Sequence, residues 1–453
     1  MKILIVIFLA GYYSITAQQS NLDMYIQQGL KNNLALKQRE FSLNRSIAAL
    51  DEARGLFMPS IGINARYTRA DGGREIIFPV GDLMNPVYAS LNALMGFNAF
   101  PTDLPNESIR FMREKEHETK IQLIQPLFNA EIFYNYKIQS NLTEIQKAER
   151  DVFARALIAD IKKAYYNYLI TDKLVELANT TEDILKENLR VSESLFKNNK
   201  ATKDVVYRAQ AELSGVEQRK AEAERSKIVS SAYFNFLLNR EQESEILADS
   251  INVNPEKLDL GLDDAISLAL KGREELKQLE FASEAADNKI GLSKSGYLPD
   301  LLFAADYGFQ GEDYRFTSED DFWTASLVLR WNLFRGFQDK ARVEQSEWEK
   351  KQIEARQLDL ENKIRLQVRE AYQNVIVSET SITSAEVQLK SANKTFEIVD
   401  RKFREGMSPQ IEFIDARSTM TNAELNYIVT IFQYYIRLAE LERAVAFNPG
   451  IYK

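Results

Sequence analysis

Apolar side chains recur along this chain with two rhythms. From Ala371 through Val375, Ser378, Ile382, Ala385, Leu389, Ala392, Phe396 and Val399 to Phe403 the spacing alternates four and three without a break, and Ser378 alone is polar. That is a heptad seam, the mark of long helices packed side by side. Moving back 207 residues gives a second seam from Ala164 to Phe196, through Tyr168, Thr171, Val175, Ala178, Glu182, Leu185, Leu189 and Ser192. Helix breakers avoid both regions. No proline lies between Pro126 and Pro255 or between Pro299 and Pro409, Gly215 is the sole glycine of 127–254, and 337–405 has none. Either residue costs a helix interior about 1 to 3 kcal/mol, so helical hairpins are predicted over 131–240 and 338–446. A helix from Glu131 to Phe196 would be roughly 100 Å long at 1.5 Å per residue.

After Pro59 and again after Pro299 the period falls from 3.6 to 2. Ile61, Ile63, Ala65 and Tyr67 alternate with mostly polar residues, as do Leu301, Phe303, Ala305, Tyr307 and Phe309. The same alternation runs through Ile121, Leu123 and Leu127, and through Trp323, Ala325, Leu327, Leu329, Trp331 and Leu333. Four strands with one apolar face each are predicted, at about 57–69, 119–128, 297–310 and 322–334. Their length suits a tilted strand crossing a bilayer. Arg66, Asp306 and Arg330 face away from the apolar stripe, whereas Tyr67, Tyr307, Trp323 and Trp331 lie within it near strand ends, where a membrane aromatic girdle belongs.

The two sets of elements are copies of one unit. Residues 22–68 align without a gap on 262–308, with Leu22/Leu262, Phe41/Phe281, Pro59/Pro299 and Tyr67/Tyr307 among the identities. Residues 121–128 match 327–334 at a shorter offset, so the first copy carries an enlarged loop, 70–118. The counterpart loop, 310–321, is short and acidic, with solvation its expected role. The organisation is therefore a first repeat over 18–240, a polar linker or equatorial segment over 241–261 containing Asn254-Pro255, and a second repeat over 262–453.

Composition narrows the function. The chain has 453 residues, no Cys, one His and a net charge of −9. Without Cys there are no disulfides, thiol nucleophiles or Cys-ligated metals. A lone His117 builds no multi-histidine site and is expected to be an ordinary loop residue. No phosphate-binding glycine pattern occurs, and an acidic chain is a poor partner for nucleic acid. Neither an enzyme nor a cofactor is expected. Lys2 followed by the apolar run Ile3–Ala10 reads as a signal peptide over 1–17, cleaved after Ala17. That run is far short of the ~20 residues of a spanning helix.

Four strands cannot close a barrel, and lipid tolerates no unpaired edges. The strands must be pooled between copies, eight from two chains or twelve from three. At the hairpin turns, Gly406 is suited to the left-handed conformation that ends a helix, with Asn199 in its place in the first copy, and Ser408-Pro409 are suited to the cap and first turn of the next helix. Glu412 and Asp415, three apart, share one helical face.

With its LFMPSI and GYLPDL strand entries and the segment FREGMSPQIEFIDAR (403–417), the duplicated helix–strand–strand–helix–turn–helix unit resembles the TolC-like outer-membrane efflux proteins of Gram-negative bacteria. The resemblance spans essentially the whole mature chain. It implies an α+β membrane protein, a homotrimer whose twelve-stranded barrel in outer-membrane lipid continues into a coiled-coil α-helical barrel in the periplasm. It further implies the passive exit duct of a tripartite efflux or secretion system, working with a periplasmic adaptor and an inner-membrane transporter. Glu412 and Asp415 match the acidic pair at the family's periplasmic constriction. In the first copy Val205 and Arg208 hold those positions and Asp204 lies one residue earlier, so Asp204 and Arg208 are secondary candidates. Long insertions like 70–118 point to a Bacteroidetes-type member. That loop is expected on the extracellular side, over the barrel mouth or between protomers, with a short helix at Leu83–Leu94. A different class, an exported coiled-coil adhesin or structural scaffold without transport activity, would share the heptads and the export signal, but leaves the strands unexplained.

Overall fold

The computed structural model describes residues 20–249 and 258–447. The expected signal peptide and Asn254-Pro255 lie outside these residues. The elements run α1 (Asn21–Asn32), α2 (Leu34–Gly55), β1 (Ser60–Arg69), β2 (Glu75–Phe78), α3 (Val80–Met95), β3 (Glu107–Arg110), β4 (Lys115–Phe128), α4 (Ala130–Lys197) and α5 (Lys203–Leu237). The second repeat supplies α6 (Leu262–Gly272), α7 (Glu274–Ser295), β5 (Asp300–Gly311), β6 (Asp321–Arg330), α8 (Gln338–Arg404) and α9 (Gln410–Ala444). Two compact units result. One takes in the described residues up to Ala48, Ser140–Ala285 and those from Glu349 on; the other comprises Ala49–Gln139 and Ala286–Trp348.

In the second unit β1, β4, β5 and β6 form an antiparallel sheet in the order β1-β4-β5-β6, so β1 and β6 are its edges. The strand ends differ from expectation for a common reason. Pro59 and Pro299 have no N–H to give a ladder, so β1 begins at Ser60 and not near 57, and β5 begins at Asp300, where its pairing with Arg330 also ends β6. Trp331 is therefore just outside β6, not in a strand running to 334. At the other end β4 starts at Lys115, four residues before the predicted 119, because β1 continues to Arg69 and pairs it with Lys115, while β5 reaches Gly311 opposite His117. The enlarged loop holds the β2–β3 hairpin and α3, and α3 contains the predicted Leu83–Leu94 helix.

In the helical unit the duplication is visible as two matching cores. Around α4, the first core contains Tyr25, Leu157, Ile161, Phe234 and Leu238. Around α8, the second contains Ala265, Ile364, Val368, Leu441 and Val445, each the sequence counterpart of a member of the first. The heptad seam of α8 is buried at Val375, Ile382, Ala385, Ala392 and Phe403. In α4 the corresponding face buries Ala164, Leu185 and Ser192, while polar Glu182 is held by ion pairs to Lys186 and, across the hairpin, Lys220 at 2.8 Å. One exchange shows how closely the cores are fitted. A Cβ added to Gly29 would sit 2.3 Å from Cδ1 of Ile161, whereas the counterparts in the second core are Ala269 and Val368. The methyl group has moved from one partner to the other.

Candidate functional site: hairpin turns and polar sheet face

Both long helices of the helical unit end in the same hydrogen-bonded turn. Gly406 has φ 74° and Asn199 φ 56°. Met407 N donates to Lys402 O and Gly406 N to Phe403 O; Lys200 N donates to Leu195 O and Asn199 N to Phe196 O. This is the Schellman arrangement, which satisfies the last helical carbonyls and requires a left-handed residue. Here Gly406 and Asn199 behave as their residue types predict. Ser408 and Pro409 do not: Pro409, at φ −70° and ψ 151°, is itself the cap residue, and α9 starts one residue later at Gln410. With Pro409 extended, Ser408 stands one residue before the cap. Its hydroxyl instead donates forward to the Glu412 carboxylate at 2.5 Å.

The start of α9 has two unlike sides. Gln410 is buried, and its Nε2 donates to the carbonyl of Val205 (2.8 Å) and contacts Ser192 Oγ (3.4 Å), fastening α9 onto the first hairpin. Phe413, one turn on, packs against Phe403 and Phe396 with ring centroids 4.9 and 5.6 Å apart. Arg417 follows, 1% exposed, with Glu212 at 3.8 Å and its Nε and Nη1 without hydrogen-bond partners. Burial pushes this guanidinium below its usual range, against the attraction of Glu212. Glu412 and Asp415 lie on the opposite side of the helix, both exposed. Among the described residues neither forms an ion pair. Asp204 and Arg208 are exposed at the start of α5, where they approach each other at 3.8 Å, and Asp204 also accepts from the Thr202 hydroxyl. The first copy thus pairs its carboxylate with a cation, and the second leaves two carboxylates without one among the described residues.

Gln410 and Arg417 were not singled out from the sequence. Polar residues on the buried side of an amphipathic helix look like breaks in its pattern, and only the close first hairpin explains them. Beside Phe413 a cavity of about 320 Å³ is lined by Asn188, Phe396, Phe403 and Arg404, among others, and the buried Asn188 amide has no partner.

In the sheet unit the period-2 pattern separates two faces. Ile63, Ile121, Tyr307 and Trp323 align across all four strands, and all are exposed. Tyr67 lies nearer the loop end, paired with His117, while Trp331 lies at the helix end with its indole N–H donating to Tyr297 O at 3.1 Å. The other face carries a charge ladder: Arg66 to Glu118 at 3.2 Å, Glu118 to Lys120 at 3.1 Å, Lys120 to Asp306 at 3.1 Å. His117 is not a loop residue. It is fully buried in β4, stacked on Tyr314 with centroids 4.4 Å apart, its Nε2 2.6 Å from the carbonyl of Asp313. The acidic 310–321 loop is correspondingly more than a solvated connection, since Tyr314 and Phe316 pin it to His117, Tyr67 and Phe309.

The profile of the outer membrane efflux protein family matches residues 25–240 and again 265–446. The chain belongs to the outer membrane efflux protein family. The outer membrane protein TolC of Escherichia coli K12 is 19% identical across 98% of this chain and 86% of its own length. TolC of Vibrio cholerae is 22% identical across 62% of this chain and 66% of its own. Solved structures share the fold. The CmeC outer membrane channel of Campylobacter jejuni superposes with a TM-score of 0.77 at 14% identity, covering 94% of this chain and 85% of that one. The open-state MtrE channel of Neisseria gonorrhoeae gives 0.76 at 16%, covering 94% and 88%. This outer membrane efflux protein is a TolC-family channel of the outer membrane, in a family of channels and not of enzymes. The adhesin or scaffold alternative is set aside by that membership.

Proposed function

We propose that this outer membrane efflux protein acts as a homotrimer and as the passive exit duct of a tripartite efflux or secretion system, receiving cargo from an inner-membrane transporter through a periplasmic adaptor. The observation that carries the reading is the four-stranded sheet with two open edges, β1 and β6, an exposed apolar face and a charge-laddered face. Lipid leaves no place for open edges. Three copies joined edge to edge give a twelve-stranded barrel with its apolar face to lipid, and the long helices form the periplasmic barrel. Tyr67, Tyr307 and Trp323 would mark one bilayer boundary and Trp331 the other.

In this reading Glu412 and Asp415, held outward by the anchored Gln410–Arg417 side of α9, line the periplasmic constriction as a ring of up to six carboxylates. Such a ring favours cations. Asp204 and Arg208 contribute less, because they offset each other. The Bacteroidetes-type assignment rests on the 70–118 insertion alone. Native mass spectrometry in detergent should return a trimer. Planar-bilayer recordings at low salt, where screening is weakest, should show reduced cation selectivity in the Glu412→Ala/Asp415→Ala variant. Unchanged selectivity would remove the pair from the pore.

A further inference from the structure

The 70–118 insertion carries an apolar surface that none of the described residues covers. From Ile76 to Asn106 the only charged residues are Asp82 and Asp103. Within this stretch α3 has three distinct sides. One is clamped from within: the Asn92 amide accepts from the backbone N–H of Ala99 and Phe100 at 2.9 Å and donates to Phe100 O, the Asn85 amide bonds Leu104 through both its N–H and its oxygen, and Tyr88 stacks on Phe100 at 5.2 Å. A second side, with Asp82, Ala89 and Ser90, is small or polar and exposed. The third is a seam of Val80, Met84, Val87, Leu91 and Leu94, spaced four and three. Its members are mostly solvent-exposed, Leu94 to 84% and Val87 to 49%. The helix has satisfied its polar groups internally and turned a heptad seam outward.

The seam identifies its own occupant. Two heptads of alternating spacing fit the knobs-into-holes packing of helix on helix. The insertion hangs from β1, which is an edge of the sheet, so it is carried on the strand that meets the neighbouring copy. Lipid is the weaker fit. A charged belt of Arg69, Arg74, Arg110, Arg113 and Lys115, in which Arg110 approaches Asp71 at 3.7 Å and Glu75 at 3.9 Å, separates α3 from the apolar strand face. Charge of that density marks the aqueous side of a membrane boundary. A seam beyond it faces water unless protein covers it.

We infer that the α3 helices of three copies pack seam to seam as a three-helix cap, so that the insertion is an interface between protomers. The inference rests on the trimeric reading above. Because the chain has no cysteine, single thiols report the contact cleanly. Leu91→Cys and Val87→Cys place a thiol on the seam, and Ala89→Cys places one on the opposite side. In the full-length channel in outer-membrane vesicles, a short bismaleimide should join protomers through Leu91→Cys and Val87→Cys roughly tenfold more than through Ala89→Cys, as seam packing requires. Native mass spectrometry of the same samples separates the two readings. A trimer whose seam thiols do not cross-link overturns the cap and leaves the trimer standing; a monomer overturns both. Quenching of a fluorophore on Leu91→Cys by brominated lipid would assign the seam to the bilayer and also overturn the cap.

Discussion

Replacing Gly29 by alanine tests whether the two repeats are alternative solutions to one packing problem. The new methyl would lie 2.3 Å from Ile161 Cδ1 and 3.2 Å from Leu238 Cδ2, both side chains fully buried. Overpacking of this kind costs about 1 to 3 kcal/mol, of which about 1 is returned by the better helix propensity of alanine inside α1. The net loss should be about 0 to 2 kcal/mol, a drop of up to a few degrees in Tm. Ile161→Val alone should cost about 0.5 to 1.5 kcal/mol through the space it leaves. The double variant reproduces the Ala269/Val368 pair of the second repeat, with the methyl carried by the other partner. It should melt within about 1 °C of the unmodified channel, corresponding to a coupling energy equal to the two single losses together, about 0.5 to 3.5 kcal/mol. Thermal unfolding of all four proteins, followed by circular dichroism in the same detergent, reads the cycle. A double variant no more stable than Gly29→Ala would show that backbone placement, not the exchanged methyl, sets the fit.

Two further outcomes follow from charge. Arg417 is buried with two unpartnered nitrogens, and its distant partner Glu212 is one-third exposed and stays hydrated without it; because an underpaired buried charge costs stability, Arg417→Met should leave the melting temperature unchanged or slightly higher, and a large drop would mean that the contact with Glu212 is a net stabiliser. The Glu182 carboxylate is held at about 2, first by Lys186 and then by Lys220. Because the folded-state value lies below the unfolded one, its stabilisation is complete above about pH 4.5 and is lost as pH falls toward 2. The Tm difference between the unmodified channel and Glu182→Gln should therefore shrink from pH 6 to pH 3, and a constant difference would refute the ion-pair account.

The parts legible in the sequence are those where one residue pattern repeats over many positions. Ten seam residues from Ala371 to Phe403 and the Leu22/Leu262 alignment could hardly arise by accident, and both reappear as paired cores. The left-handed turns at Gly406 and Asn199 were legible because few residue types tolerate that conformation. What escaped depends on partners distant in sequence. His117 is a strand residue because Tyr67 of β1 and Gly311 of β5 flank it, and it stacks on Tyr314, almost two hundred positions away. Gln410 and Arg417 are understandable only once Val205 and Glu212 lie beneath them. The early end of β6 has the same origin, since Pro299, on the partner strand, takes away the donor that would have prolonged it.

The ladder from Arg66 through Glu118 and Lys120 to Asp306 alternates in sign at every step. Opposite charges about 3 Å apart behave toward anything more distant as small dipoles of changing direction, and salt at physiological strength extinguishes what remains within about 8 Å. If this face lines the barrel as proposed, a solute travelling along it would meet a surface that is wettable yet electrically quiet, without a deep trap for either sign. Under the proposed duct role, such a lining would leave selection by charge to the narrow periplasmic end.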